Sequence, residues 1–145
     1  MSESLAAPAS AGPDTITARM SGTIPLAGRI LIAVLFLMSG AAKLATPAAT
    51  IAYIHSVGLP FAPLGLALAV LIEIGGSAAL IVGYRTRLVA FVMAGFAIAT
   101  ALAFHRNLAD QNQLIHFFKN VSIAGGLLQV AAFGGGRLSL DARRR

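Results

Sequence analysis

The chain has 145 residues, 57% of them hydrophobic and only 11% charged, with a net charge of +6 and a mean hydropathy of +0.82. Soluble domains carry about a quarter of their residues charged, so this composition specifies an integral membrane protein of one compact domain. The absence of cysteine excludes disulfides, thiolate metal sites, haem attached through Cys-x-x-Cys-His and a direct dithiol relay. The basic residues are scattered among apolar segments, which points to topology and anionic lipid rather than nucleic acid.

Residues 1–22 are rich in Ala, Ser, Thr, Pro and Gly and lack the basic start and apolar run of a signal peptide. They read as a disordered N-terminal tail. A membrane domain follows over residues 23–133. Four of its segments are long and apolar enough to cross a bilayer as helices: residues 23–44, 62–82, 87–104 and 113–133. Only helices or closed barrels satisfy their backbone in lipid, and these segments lack barrel-like alternation. The predicted fold is therefore all-α, a four-transmembrane-helix bundle.

Between the first two spans, Pro47 precedes a short helical stretch at residues 48–55 that cannot cross the membrane. It is expected at the interface or tucked into the bundle, and Gly58-Leu59-Pro60 ends it. Gly83-Tyr84-Arg85-Thr86 makes a tight turn between the second and third spans. Gly134-Gly135-Gly136 releases the fourth span into a basic C-terminal tail, residues 134–145. Eight basic residues fall on one side of the bundle (Arg19, Arg29, Arg85, Arg87, Arg137, Arg143, Arg144, Arg145). Two, Lys43 and Arg106, fall on the other, and Lys119 lies inside the fourth span. Both termini are therefore expected in the cytoplasm.

Glu73 is the sole ionisable group in residues 62–82. A mid-membrane carboxylate costs at least about 2.5–3.5 kcal/mol without a partner, so its surroundings matter. Ala69, Gly76, Ser77 and Leu80 share its helix face, and such small residues let another helix approach closely. Arg29, Ala33, Phe36, Gly40 and Lys43 share a face of the first span. Asn112, His116, Lys119, Asn120 and Gly126 form a stripe on the fourth. Counted from the outer ends of their spans, Glu73 lies about 16 Å deep and Lys119 about 9 Å. A long lysine closes much of that gap, so Lys119 is the expected partner, with Lys43 as the alternative. The sequence predicts one polar cluster in the outer half of the bundle, made of Lys43, Glu73, His105, His116, Lys119 and Asn120. Glu73 is the candidate proton carrier within it.

Each residue also has a plain structural reading. Glu73 and its lysine can be an ion pair that only fixes register, and Lys43 can snorkel outward. Arg29, Arg85 and Arg87 read as topology anchors. His55, His105 and His116 show no metal-ligand spacing within one helix, so no metal site is expected. Gly40, Gly75, Gly76, Gly125 and Gly126 read as packing residues.

Arg29-Ile-Leu-Ile-Ala-Val-Leu-Phe36-Leu-Met-Ser-Gly40-Ala-Ala-Lys43, Gly58-Leu-Pro60, Glu73-Ile-Gly75-Gly76 and Gly83-Tyr-Arg-Thr-Arg87 stand in that order, followed by His105 and His116-Phe-Phe-Lys119-Asn120 through Gly125-Gly126. Together they resemble the DoxX family of small four-helix membrane proteins over about residues 24–141. The resemblance implies an inner (plasma) membrane location. It also implies kinship with the small subunits of thiosulfate:quinone oxidoreductase, with membrane partners of oxidoreductases, and more distantly with cargo receptors. The leading expectation is thus a quinone-linked or oxidoreductase-associated membrane subunit, with quinone as cofactor and an oxidoreductase subunit or a second copy as partner. The alternatives are a non-catalytic scaffold and a small-solute carrier. With no cysteine and no nucleotide-binding glycine motif, the chain holds no complete electron path of its own.

Overall fold

The computed structural model describes residues 13–144, with side chains from Gly22 onward, and is helical with no strand among the described residues. Helix α1 runs Pro13–Ala45. It begins ten residues before the expected start, so residues 13–22 are helical rather than a tail. Pro13 is a residue suited to the first helical turn. The disorder expected for residues 1–12 lies outside the described residues. Helix α2, Pro47–Ser56, again starts on a proline, buries Ile54, and stacks Tyr53 on Phe104 with ring centroids 5.3 Å apart. Helix α3 covers Ala62–Val82, α4 Thr86–Phe104 and α5 Gln111–Phe133. Helix α3 is not uniform: Leu71–Gly76 forms a π-helical turn between two α-helical halves.

Four helices are long and apolar enough to cross a membrane among the described residues, namely α3, α4, α5 and the Gly22–Ala45 part of α1. α1 packs on α3, and α4 packs along α5. The centre is built largely from small residues, with Ala33, Ala90, Ala94, Ala97 and Ala124 buried beside Phe36, Leu80, Met93 and Leu127. Lipid gives no hydrophobic drive for helices to associate, so close backbone approach and dispersion must hold such a bundle. Gly40 shows how close: a β-carbon there would stand 2.7 Å from Ile74 and 3.2 Å from the β-carbon of Glu73. The outer faces are apolar, with Leu31, Met38, Leu64, Phe91 and Phe118 each more than half exposed. A water-soluble protein of this size does not show such continuous apolar surface.

The C-terminal segment departs from expectation. Instead of being released at Gly134-Gly135-Gly136, it folds back over the α3–α4 turn. Leu140 N–H donates to the Val82 carbonyl at 3.0 Å and Asp141 N–H to the Gly83 carbonyl at 2.9 Å. Gly83 sits at φ 73°, and a β-carbon on it would collide with Ser139 and with the Arg29 guanidinium. Asp141 then caps α4 from a distance in sequence. Its carboxylate accepts from the N–H of Arg85 at 2.8 Å and from both the N–H and hydroxyl of Thr86 at 2.7 Å. Those N–H groups belong to the start of a helix and have no partner within it.

Candidate functional site

The first span places Ser39 and Lys43 one turn apart, and the π turn of α3 brings Glu73 against them. Lys43 Nζ donates to Glu73 Oε1 at 2.9 Å and to Ser39 Oγ at 2.8 Å, and Ser39 Oγ donates to the same Glu73 oxygen at 3.1 Å. The Glu73 side chain is 4% exposed and that of Lys43 is 26% exposed. Every polar contact of the carboxylate thus falls on one oxygen. Glu73 Oε2 is buried without a hydrogen-bond partner, as is Ser77 Oγ one turn further along. Buried polar atoms are nearly always paired, so each exception calls for an explanation.

A cavity of about 840 Å³ opens beside this pair. Its wall is mainly apolar, with Phe36, Ile54, Leu68, Ile72 and Phe96 among the contributors, and α2 closes one side through Thr50 and Tyr53. Lys43, Glu73, His105, Lys119 and Asn120 all line it. Such a volume, with a few polar groups on an apolar wall, is that of small-molecule sites generally.

Five of the six residues expected to form one outer cluster therefore share one cavity wall, and His116 lies just behind it. His116 stacks on His105 with ring centroids 5.1 Å apart. His105 Nδ1 meets Gln113 Oε1 at 2.9 Å, where the amide oxygen as placed can only accept, so Nδ1 carries the proton. Lys119 Nζ donates to His116 Nδ1 at 3.0 Å, and Asn120 Nδ2 donates to the His116 carbonyl at 3.1 Å. The expected Glu73–Lys119 pair is corrected: Lys119 is exposed and engages its own helix, and Lys43 holds Glu73. Span-end counting assumed straight α-helices and overlooked Ser39, whose hydroxyl bonds to both charged groups. Ser39 was readable in the sequence as the residue four before Lys43. Gln113 was likewise readable as the first-turn residue opposite His105. Among the described residues no group of three His, Asp or Glu side chains converges.

Arg29, read as a topology anchor, also has a packing role. It is fully buried and donates to the carbonyls of Leu80 at 2.9 Å, Ile81 at 3.1 Å and Leu138. It thus ties the end of α3 to the returning C-terminal segment. Arg85 and Arg87 are exposed at the same end of the bundle.

The sequence pattern of the DoxX family matches residues 24–106. The chain is 39% identical over 116 residues to the inner membrane protein YqjF of Escherichia coli (strain K12), a match covering 80% of this chain and 88% of that protein. It is 32% identical over 123 residues to the inner membrane protein YphA of the same strain, covering 81% of this chain and 88% of that one. No solved structure matches it.

Proposed function

The chain belongs to the DoxX family, and we propose that it serves in the inner membrane as a quinone-linked component associated with an oxidoreductase, with the cavity beside Glu73 as its quinone site. The observation that carries this reading is the Glu73 carboxylate. One oxygen is held by Lys43 and Ser39, the other is buried and partnerless, and the residue lines a largely apolar cavity. A quinone head needs an apolar slot, donors for its carbonyl oxygens and a group that exchanges protons. Lys43, Lys119, His105 and Asn120 supply donor atoms on that wall, and Glu73 supplies a proton acceptor that two donors hold in place. In this chain the residues bind, orient and exchange protons, and electrons come from an associated subunit. The inner-membrane placement rests on the relatives' names. Cytoplasmic termini rest on the excess of arginine at the Arg85 end of the bundle.

Purified protein is extracted with organic solvent and the quinone retained per chain is measured, for the native sequence and for Glu73→Gln. The amide oxygen of the introduced Gln still accepts from Lys43 and Ser39, so the fold survives. In the reduced quinol a hydroxyl donates to the partnerless Glu73 oxygen, and loss of that charge-assisted hydrogen bond lowers retention of the quinol at least about ten-fold. Native protein that carries no more quinone than the surrounding lipid, or unchanged retention in Glu73→Gln, refutes the site. A scaffold reading is favoured by one different fact: the Lys43–Glu73 bond joins α1 to α3 and can fix their register without chemistry.

A further inference from the structure

We propose a second site, at the opposite end of the bundle from Glu73, that takes the phosphate headgroup of an anionic phospholipid. A cavity of about 800 Å³ lies between the start of α4, the end of α5 and the returning C-terminal segment. Arg85, Arg87, Arg137 and Arg144 line it, against a single acidic residue, Asp141. That carboxylate is engaged by three hydrogen bonds from the backbone and hydroxyl at Arg85 and Thr86. The guanidinium groups of Arg85 and Arg87 have no ion-pair partner among the described residues. The cavity therefore carries a net positive charge of about three, by counting four arginines against one carboxylate. Guanidinium forks match phosphate oxygens in geometry as well as in charge.

The rest of the wall indicates a lipid rather than a soluble anion. Leu88 and Phe133 line the same cavity, 55% and 79% exposed. Both lie in membrane-crossing helices, at the ends that meet the arginines. Phe91, 63% exposed, follows Leu88 by one helical turn and continues the apolar strip toward the bilayer centre. Arginines above an apolar strip at a span end match a molecule with a charged head and acyl chains. Arg87 is placed to face the headgroup from α4, and the loop at Gly134-Gly135 closes the other side. Gly135 permits this closure, since a β-carbon there would stand 2.8 Å from Thr86 Oγ1 and 2.9 Å from Ser139 Cβ.

The test uses the full chain in detergent, with native mass spectrometry counting bound lipid as phospholipid is titrated. Anionic and zwitterionic phospholipids of identical chains are compared, alongside inorganic phosphate. Tight, one-to-one retention of the anionic lipid is expected, and Arg87→Gln weakens it roughly five-fold. The double variant R85Q/R87Q weakens it about 25-fold. These substitutions leave the cap on α4 intact, because Asp141 engages the backbone of Arg85 and not its side chain. Phe133→Ala weakens lipid retention while leaving any phosphate binding unchanged. Arg143 does not line the cavity, so Arg143→Gln leaves retention unaltered. Equal retention of the two lipids overturns the proposal. So does an Arg143→Gln effect as large as that of Arg87→Gln, which marks diffuse charge attraction, and so does inorganic phosphate binding as tightly as the lipid, which marks a soluble-anion site.

Discussion

Replacing Lys43 by Met and Glu73 by Gln should have unequal costs, and the inequality follows from where each charge sits. Lys43→Met leaves a carboxylate that is 4% exposed, with Ser39 as its one remaining donor. Breaking a buried pair from the side that strands a charge costs about 3–5 kcal/mol. Glu73→Gln strands instead an ammonium whose side chain is already 26% exposed in the last turn of α1 and can extend into water. The amide oxygen of the Glu73→Gln variant also still accepts from Ser39 and Lys43, so the cost is about 1–2 kcal/mol. In the double variant no charge is stranded, and Lys43→Met becomes nearly free, which gives a coupling of about 3–5 kcal/mol. Lys119→Met, removing an exposed lysine bonded to its own helix, costs within about 0.5 kcal/mol. The assay is equilibrium unfolding in mixed micelles by a denaturing detergent, followed by far-ultraviolet circular dichroism. Equal single-variant costs, or a larger cost for Lys119→Met than for Lys43→Met, would refute the pairing and the asymmetry together.

Two further outcomes concern the other end of the bundle. Arg29→Met removes a buried group that donates to Leu80, Ile81 and Leu138, and three bonds of about 1.5–3 kcal/mol each are only partly offset by no longer burying a cation. A loss of about 3 kcal/mol is expected, with faster tryptic cleavage at Arg137 as the C-terminal segment detaches; unchanged cleavage would show that Arg29 does not hold that segment. Burial alone would raise the Asp141 carboxyl, but the hydrogen bonds from Thr86 and Arg85 and the charge of Arg144 outweigh it, so the group sits below its ordinary value of 3.8. A depressed carboxyl stabilises the fold fully above that ordinary value, and this contribution is lost as the pH falls through the lower folded one. Melting temperature against pH should therefore drop in that acidic window for the native chain and more shallowly for Asp141→Asn; parallel curves would remove Asp141 from the acid sensitivity.

The four spans were legible because lipid imposes a length and a composition that residues 62–82 and their counterparts satisfy without ambiguity. Glu73 stood out for a related reason, as a charge in a medium that penalises charge. Its neighbourhood was partly legible: small residues such as Gly40 and Gly76 mark where helices approach, and five of the six residues expected to cluster line one cavity. The choice between two lysines was not legible. It depends on a separation of a few ångströms, and that separation depends on a hydrogen-bond register in α3 that no residue pattern specifies. The burial of Arg29 was not legible for a different reason. It depends in part on the returning segment, whose Leu138 carbonyl it bonds, and a glycine-rich junction followed by arginines looks the same in sequence whether it leaves the bundle or packs on it. Asp141 was overlooked because a helix cap is sought immediately before the helix, whereas this cap arrives from 55 residues away.

The π turn at Leu71–Gly76 accounts for much of the geometry around Glu73. Within α3 the buried positions Ala69, Glu73, Ser77 and Leu80 are spaced four, four and three residues apart. In a straight α-helix of 3.6 residues per turn, Ala69 and Ser77 would sit about 80° apart around the axis, towards the two edges of one buried face. A turn closed by i→i+5 bonds takes up more residues per revolution. It narrows that angle, so Ala69, Glu73 and Ser77 lie closer to one line. The same widening sets the Glu73 β-carbon against Gly40 on α1, where a larger residue than glycine would not fit. Glycines at positions 75 and 76 keep side chains from crowding the turn; a β-carbon at Gly76 would stand 3.1 Å from the Met93 sulfur of α4. Such a turn strains helix hydrogen bonding and recurs at functional sites. Were the pair needed only to join α1 to α3, a regular helix with its carboxylate fully bonded would join them more stably. An irregular turn that presents a carboxylate with one oxygen held and the other unpartnered beside a cavity supports the proposed site over a purely structural pair.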